Sequence, residues 1–335
     1  MRPRTLIALV LLLVLVGAYG AFWFIVSGRI EDEVVAQASS LRRQNLDLSW
    51  SAMRVGGFPF AFDVRLSEAR LRGTATAPPP EMRAPVLSAS ARPWNFRDLH
   101  LSAPDGLSAA AGAEPMPKLN AQKATGAVAV GSEGDINVWL TLDQVDADLP
   151  EHVSVDQANV WLILPAQPPR THTERALALA ADLRGLQLPT TPAPFHGAVD
   201  DLGFGATVMG AIPAGPPRQA ATGWRDSGGT VELDQFALRW GGLAVNGSGT
   251  LALGPDLQPM GAFSGAVSGI DELINALAAA GRLRLGDLTI ARIALAALAK
   301  PGPSGRPEIS TSFTIQDGQM FLGPAKLGPV PRIDW

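Results

Sequence analysis

Four histidines, His100, His152, His172 and His196, and a run of carboxylates are the residue types in this chain best suited to chemistry. Asp143, Asp146, Asp148 and Glu151 lie close together with His152 beside them. Hard cations take several oxygen ligands at short range, so this cluster is a candidate calcium site. It lacks the glycine-punctuated fixed spacing of a calcium loop, and a solvated loop between strands is the plainer expectation. Asp200-Asp201 near His196 is a weaker pairing of the same kind. Nucleophilic catalysis needs a serine or cysteine set on a sharp turn with a base in reach. The chain has no cysteine and no G-x-S-x-G; Asn246-Gly247-Ser248-Gly249 comes nearest and reads as a turn between strands. Neither phosphate-binding glycine motif occurs, so nucleotide chemistry has no support. The expectation is a protein without a catalytic site, metal or cofactor; a hydrolase or metal-dependent enzyme with an unmarked site is the alternative.

Leu6–Val26 is a run of 21 uncharged, predominantly apolar residues. As a helix at 1.5 Å per residue it spans the roughly 30 Å hydrocarbon core of a bilayer. Its Leu, Ile, Val and Phe residues together favour insertion by about 4–8 kcal/mol. Arg2 and Arg4 precede the run, whereas Glu31, Asp32 and Glu33 follow Arg29, which orients the amino end toward the cytoplasm. A cleaved signal peptide is the competing reading, with Ala18–Ala21 as its processing site. Phe22–Val26 carries the apolar run past such a cut, and an uncleaved single-pass anchor is preferred.

A formal net charge of −4 with 17% charged residues argues against a nucleic-acid binder, which would show a basic stripe. With 35 Gly and 28 Pro against 6% aromatics, the remainder has the composition of many short strands and turns. The organisation expected is a cytoplasmic end and anchor over 1–27, a juxtamembrane helix over 28–45, and two β-rich regions, 46–195 and 196–335. The helix follows from Ile30, Val34, Ala38 and Leu41 at helical spacing, an apolar stripe suited to packing on the first strands. After it the period falls to two. Phe60, Phe62, Val64 and Leu66 alternate with polar residues, and the parity then flips to Ala69 and Leu71, which predicts a bulge near Ser67–Glu68. Gly56–Pro59 predicts a turn ahead of this strand. Further strands are expected at 86–92, 99–102, 125–130, 136–142, 153–155 and 159–164, and a short helix over Glu174–Leu183. Leu202, Phe204, Ala206 and Val208 restore the two-residue period. Gly228 to Leu253 predicts an antiparallel meander turning at Gly241-Gly242 and Gly254-Pro255. Helices are expected over 271–280 and 287–299, then a strand through Ile309–Ile315, a turn at Asp317-Gly318 and a partner strand at Met320–Leu322.

A sheet that buries one face must cover it with helices, a second sheet or a ligand. The helices expected are few. A lipid groove lined by Phe60, Phe62, Val64, Phe204, Val208, Phe236, Leu238 and Trp240 is therefore a candidate, and an ordinary sandwich core built from the same residues is its alternative.

Trp224-Arg225, Gly228-Gly229, Trp240-Gly241, Asn246–Gly249 and Leu257-Gln258-Pro259 with Gly261 resemble a bacterial envelope family, domain-of-unknown-function family 2125. Gly57-Phe58-Pro59 and the tail from Asp317-Gly318 through Leu322–Pro324, Leu327-Gly328 and Pro331 are similar to the same family. More loosely, the strand-rich run around Gly247–Leu253 resembles AsmA-like proteins. That likeness implies an inner-membrane anchor, elongated curved antiparallel sheets and lipid handling in the periplasm. The fold expected is thus mainly β with a few helices, AsmA-like or sandwich-like, behind an N-terminal transmembrane helix. The function expected is non-enzymatic: an inner-membrane protein whose periplasmic domain binds or passes phospholipid in envelope maintenance. A scaffold docking an envelope protein partner is the alternative.

Overall fold

The computed structural model describes residues 3–75, 78–110, 117–149, 151–189, 197–271, 275, 299–302 and 307–333. The chain is mainly β, behind one long helix, and divides into two units. Unit 1 comprises Met1–Val130 and Leu142–Glu151; unit 2 comprises Gly131–Thr141 and His152–Trp335.

Helix α1 (Pro3–Arg43) joins the expected anchor and juxtamembrane helix into one continuous element of 41 residues. It is long and apolar enough to cross a membrane. It ends at Asn45, whose φ of 62 turns the chain back, and strand β1 (Leu46–Ser49) follows at once. Strands β1 and β2 (Ala52–Gly56) both pair antiparallel with β3 (Phe62–Gly73). β4 (Glu81–Arg92) pairs with β3, then with β5 (Asn95–Ala103) and β6 (Leu107–Ala110), which both reach β7 (Lys118–Val130). On β3, Phe62, Val64 and Leu66 are buried, Glu68 takes a φ of 50, and burial resumes at Ala69. The parity flip expected at Ser67–Glu68 is therefore present.

The apolar stripe of α1 covers this sheet: Ile30 and Val34 pack on the cluster of Val64, Leu66 and Ala69, and Ala38 is buried. A smaller core of Ala84, Ala103 and Ala124 lies farther along. Alanines there keep the layer thin, because each fills little volume above the pleat.

Strand β8 (Ile136–Leu149) and β9 (Glu151–Leu164) are far longer than the short strands expected. β10 (Arg175–Leu186) occupies the stretch expected as a helix over Glu174–Leu183. Its alternating apolar positions Leu177, Leu179, Ala181 and Leu183 pair with β11 (Val199–Met209), and Ala178–Arg184 pair with β9 on the other side. Ladder bonds on both edges outweigh the helix propensity of an Ala/Leu-rich segment. The meander continues through β12 (Thr230–Trp240), β13 (Leu243–Leu253) and β14 (Pro259–Ser268) to β16 (Pro307–Gln316), which also pairs with the two-residue β15 (Lys300–Pro301). Strands β17 (Gln319–Leu322) and β18 (Ala325–Pro329) close it. Asp317 and Gly318 both have positive φ, the left-handed pair that a two-residue hairpin turn requires.

One helix was not foreseen, α2 (Pro217–Asp226). Pro217 opens it at the position where a missing N–H costs nothing. Its Trp224 is buried, donates its indole N–H to the Met209 carbonyl at 2.8 Å, and lies against Gly229 so closely that a side chain there would collide with the ring. The helices expected over 271–280 and 287–299 fall almost wholly outside the described residues.

Candidate functional site

The eight residues expected to line one groove divide between the two units. Phe62 and Val64 are core: Phe62 is 2% exposed and its ring stacks on Trp23 of α1 at 5.3 Å. Phe60 is not in a strand. It lies on the turn between β2 and β3 and is 73% exposed. Phe62 and Val64 are thus covered by α1, and Phe60 is exposed on the turn.

The other five share a face of unit 2. Phe204 on β11 pairs with Phe236 on β12, Leu202 with Leu238, and Val208 with Val231. The register skips a residue on β12 between Leu233 and Phe236, which restores the apolar parity along the strand. The same face continues across β13 as Val245, Gly247, Gly249 and Leu251, across β14 as Gly261, Phe263, Gly265 and Val267, and across β16 as Ile309, Thr311, Phe313 and Ile315. The opposite face carries Asn246, Ser248, Ser264, Ser310 and Ser312. This is a two-faced sheet, apolar on one side and polar on the other.

Within the apolar face lies a groove of ≈ 370 Å³ walled by Leu233 and Phe236 on one flank and by Thr311, Phe313 and Ile315 on the other. Gly247 and Gly265 are register partners and form its floor, where the absence of side chains opens the depression. Phe263 sits at one end. Its ring lies so close over β13 that a Cβ on Gly249 would come within 2.4 Å of it, and it meets the Phe313 ring at 5.8 Å. Val245 and Val267 line the other end. None of these residues is fully buried, and among the described residues the helix of this unit, α2, packs at strand ends, with Arg225 donating to the Pro255 carbonyl at 2.7 Å. Only Phe236 of the expected set lines this groove; Phe204, Val208, Leu238 and Trp240 extend the same face outside it. Phe263 and its glycine floor were missed, although Gly261, Phe263, Gly265 and Val267 alternate with Met260, Ala262, Ser264 and Ala266 in the sequence.

The candidates for polar chemistry do not converge. Asp143, Asp146 and Asp148 lie in strand β8, not in a loop, with Val145 and Ala147 buried between them. Glu151 and His152 begin the next strand. Alternation puts Asp146 and Asp148 together on the exposed face of β8, opposite buried Val145 and Ala147. Among the described residues no group of three or more His, Cys, Asp or Glu is placed to hold a metal ion. Ser248 lies in the middle of β13, not on a turn, on the polar face. Asp201 is bridged to Arg239 and, at 3.7 Å, to Arg184, while Asp200 accepts from the Gly241 N–H at 2.9 Å. His100 lies 3.6 Å from Asp98 on the exposed side of β5. His172 packs against Gly228 near α2, and His196 lies outside the described residues.

A family model described as "Uncharacterized protein conserved in bacteria (DUF2125)" matches residues 23–331. The chain belongs to the DUF2125 family. The match begins at Trp23, runs through the groove strands and ends in the closing strands, so both units carry the family pattern. No curated protein and no solved structure matches the chain, and the AsmA-like likeness rests on sequence landmarks alone.

Proposed function

We propose that this DUF2125 protein is a non-enzymatic, single-pass inner-membrane protein whose β-rich part lies in the periplasm and holds an acyl chain of a phospholipid. The groove between Phe236 and Phe313 carries this reading. Its volume lies at the low end of the range for small-molecule sites, about 300–1,000 Å³, and its walls are hydrocarbon and aromatic carbon. Burying each methylene of an acyl chain contributes about 0.8 kcal/mol, so even a partly seated chain is held. The long apolar helix α1 supports the same reading, because it would keep the domain beside a lipid source. Arg2 and Arg4, ahead of the apolar run Leu6–Val26, support a cytoplasmic amino end.

The test is photocrosslinking of the full-length protein in vesicles that contain a phospholipid with a diazirine near the acyl terminus. Adducts are mapped by peptide mass spectrometry. Adducts on Leu233–Ile315 peptides, lost in Phe236→Glu and in Thr311→Trp while those on α1 persist, are the expected result. Labelling confined to α1 in the wild-type chain would end the lipid-groove reading and favour a scaffold that docks a protein partner.

A further inference from the structure

The β2–β3 turn is fastened to the apolar part of α1, not to its juxtamembrane part. The Tyr19 hydroxyl donates to the Pro59 carbonyl, and the Trp23 indole N–H donates to the Ala61 carbonyl at 3.1 Å. The Phe58 ring meets the Trp23 ring edge-on at 5.5 Å and lies over Phe24 at 6.2 Å. All three helix residues belong to the run Leu6–Val26. Tyr19 lies seven residues before Val26, roughly 10 Å along the axis at 1.5 Å per residue. Wherever this part of α1 enters a bilayer, the turn enters with it.

The turn is chemically suited to that place. Gly57–Phe62 contains no charged residue. A bilayer tolerates irregular backbone only where its polar groups are satisfied within the protein. Here the Gly57 carbonyl accepts from the N–H groups of Phe60 at 3.1 Å and Ala61 at 2.9 Å. Pro59 has no N–H to satisfy. The carbonyls of Pro59 and Ala61 are met by the two helix side chains. The exposed side chains of the turn are aromatic: Phe58 is 50% exposed and Phe60 73%, and Phe22 and Phe24 on α1 are exposed as well. The neighbouring β4–β5 hairpin extends the patch with exposed Trp94 and Phe96, and Phe96 stacks on Phe62 at 5.7 Å. Exposed Arg92 and Arg97 flank that second tip, as cations do at a headgroup layer.

We infer that the β2–β3 turn is a second membrane-embedded element, seated with α1 in the outer roughly 10 Å of the leaflet on the Val26 side, as interfacial segments are. The partner is the lipid bilayer itself, continuous with the surface of α1. This rests on α1 crossing the membrane, and the test separates the two claims. The chain has no cysteine, so a single introduced one reports a single site. Full-length Phe58→Cys, Phe60→Cys, Phe24→Cys and Asp105→Cys are labelled with an environment-sensitive fluorophore. Each is reconstituted in vesicles of phosphatidylethanolamine and phosphatidylglycerol. Asp105 is exposed at the far end of β5 and marks the aqueous side.

Expected are strong quenching by shallow nitroxide lipids at 24, 58 and 60, and iodide quenching several-fold weaker there than at 105. Iodide quenching at 58 and 60 that matches 105, with 24 still protected, overturns the embedded turn and leaves the anchor standing. Iodide access at 24 overturns the anchor and this inference together. Phe60 is the more exposed of the two turn positions and carries the result alone if Phe58→Cys disturbs packing on Trp23.

Discussion

The two units solve one problem differently. Each has strands of alternating polarity and therefore an apolar sheet face to keep from water. In unit 1 a helix supplies the cover: Ile30 and Val34 of α1 lie on Val64, Leu66 and Ala69, and Trp23 stacks on Phe62. In unit 2, among the described residues, the face across β12–β16 stays half-buried, and its largest residues wall a groove. Alternation alone therefore does not say whether a face becomes interior or binding surface. What decides it is which element the topology delivers onto the sheet.

The sharpest way to break this comparison is to remove one large aromatic from each face. Phe62→Ala empties a site that is 2% exposed beneath Trp23, and truncations of that kind cost about 3–5 kcal/mol. Phe236→Ala removes a half-buried ring at a groove wall, where roughly 1 kcal/mol of transfer energy is at stake. Denaturant unfolding in detergent micelles, followed by tryptophan fluorescence, is expected to show the Phe62 variant far less stable and the Phe236 variant near wild type. Equal losses would mean that unit 2's face is as closed as unit 1's.

A smaller effect is expected from the glycines. A Cβ on Gly249 would lie 2.4 Å from Phe263 Cδ1 and 2.5 Å from the Ala262 carbonyl oxygen. Gly249→Ala therefore forces the ring or the strand aside, an overpacking cost of about 1–3 kcal/mol. Gly56, at the end of β2 in unit 1, has nothing within 4 Å of the corresponding point. Gly56→Ala is expected to leave the midpoint of thermal unfolding unchanged or slightly raised, since it only restricts the unfolded chain. A Gly249→Ala protein as stable as wild type would show that Phe263 is not held down on its glycine bed.

Much of this architecture was legible because burial leaves a period in the sequence. The long apolar helix and its end before Leu46, the flip at Glu68 and the turns at Gly241-Gly242 and Asp317-Gly318 all follow from local rules. Glu174–Leu183 misled because its Ala/Leu content suits both a helix and a strand, and only the ladders to β9 and β11 choose between them. The carboxylates from Asp143 to Asp148 looked like a loop because their apolar partners, Val145 and Ala147, are few and small. The groove was half visible. Phe236 announced itself by alternation, whereas its floor is made of Gly247 and Gly265, residues whose contribution is an absence of side chain. Phe60 shows the opposite case: it continues the alternation of β3 in sequence, yet it lies on the turn ahead of that strand and is exposed. Such long-range placement leaves no local trace.

The smallest expected effect concerns the polar edges, where both units place ion pairs along exposed strands. In unit 1 Arg83 donates to Glu81 at 2.6 Å, and that hydrogen bond first, then the charges of Arg83, Arg70 and Arg72, hold the Glu81 carboxyl below its ordinary 4.5. In unit 2 Arg239 and Arg184 serve Asp201 across two strand interfaces. A carboxyl whose value falls on folding stabilises the folded state above its ordinary range, and the gain is lost as pH drops through the lowered value. Arg83→Ala should move the Glu81 titration, read by carboxyl NMR, upward toward 4.5. It should also flatten the acid side of the stability profile only slightly, because exposed pairs contribute little. Arg239→Ala removes one of two cations from Asp201 and should change neutral-pH stability no more than Arg83→Ala does. A substantial loss in either protein would mean that the polar face, and not the aromatic one, sets the stability of that sheet.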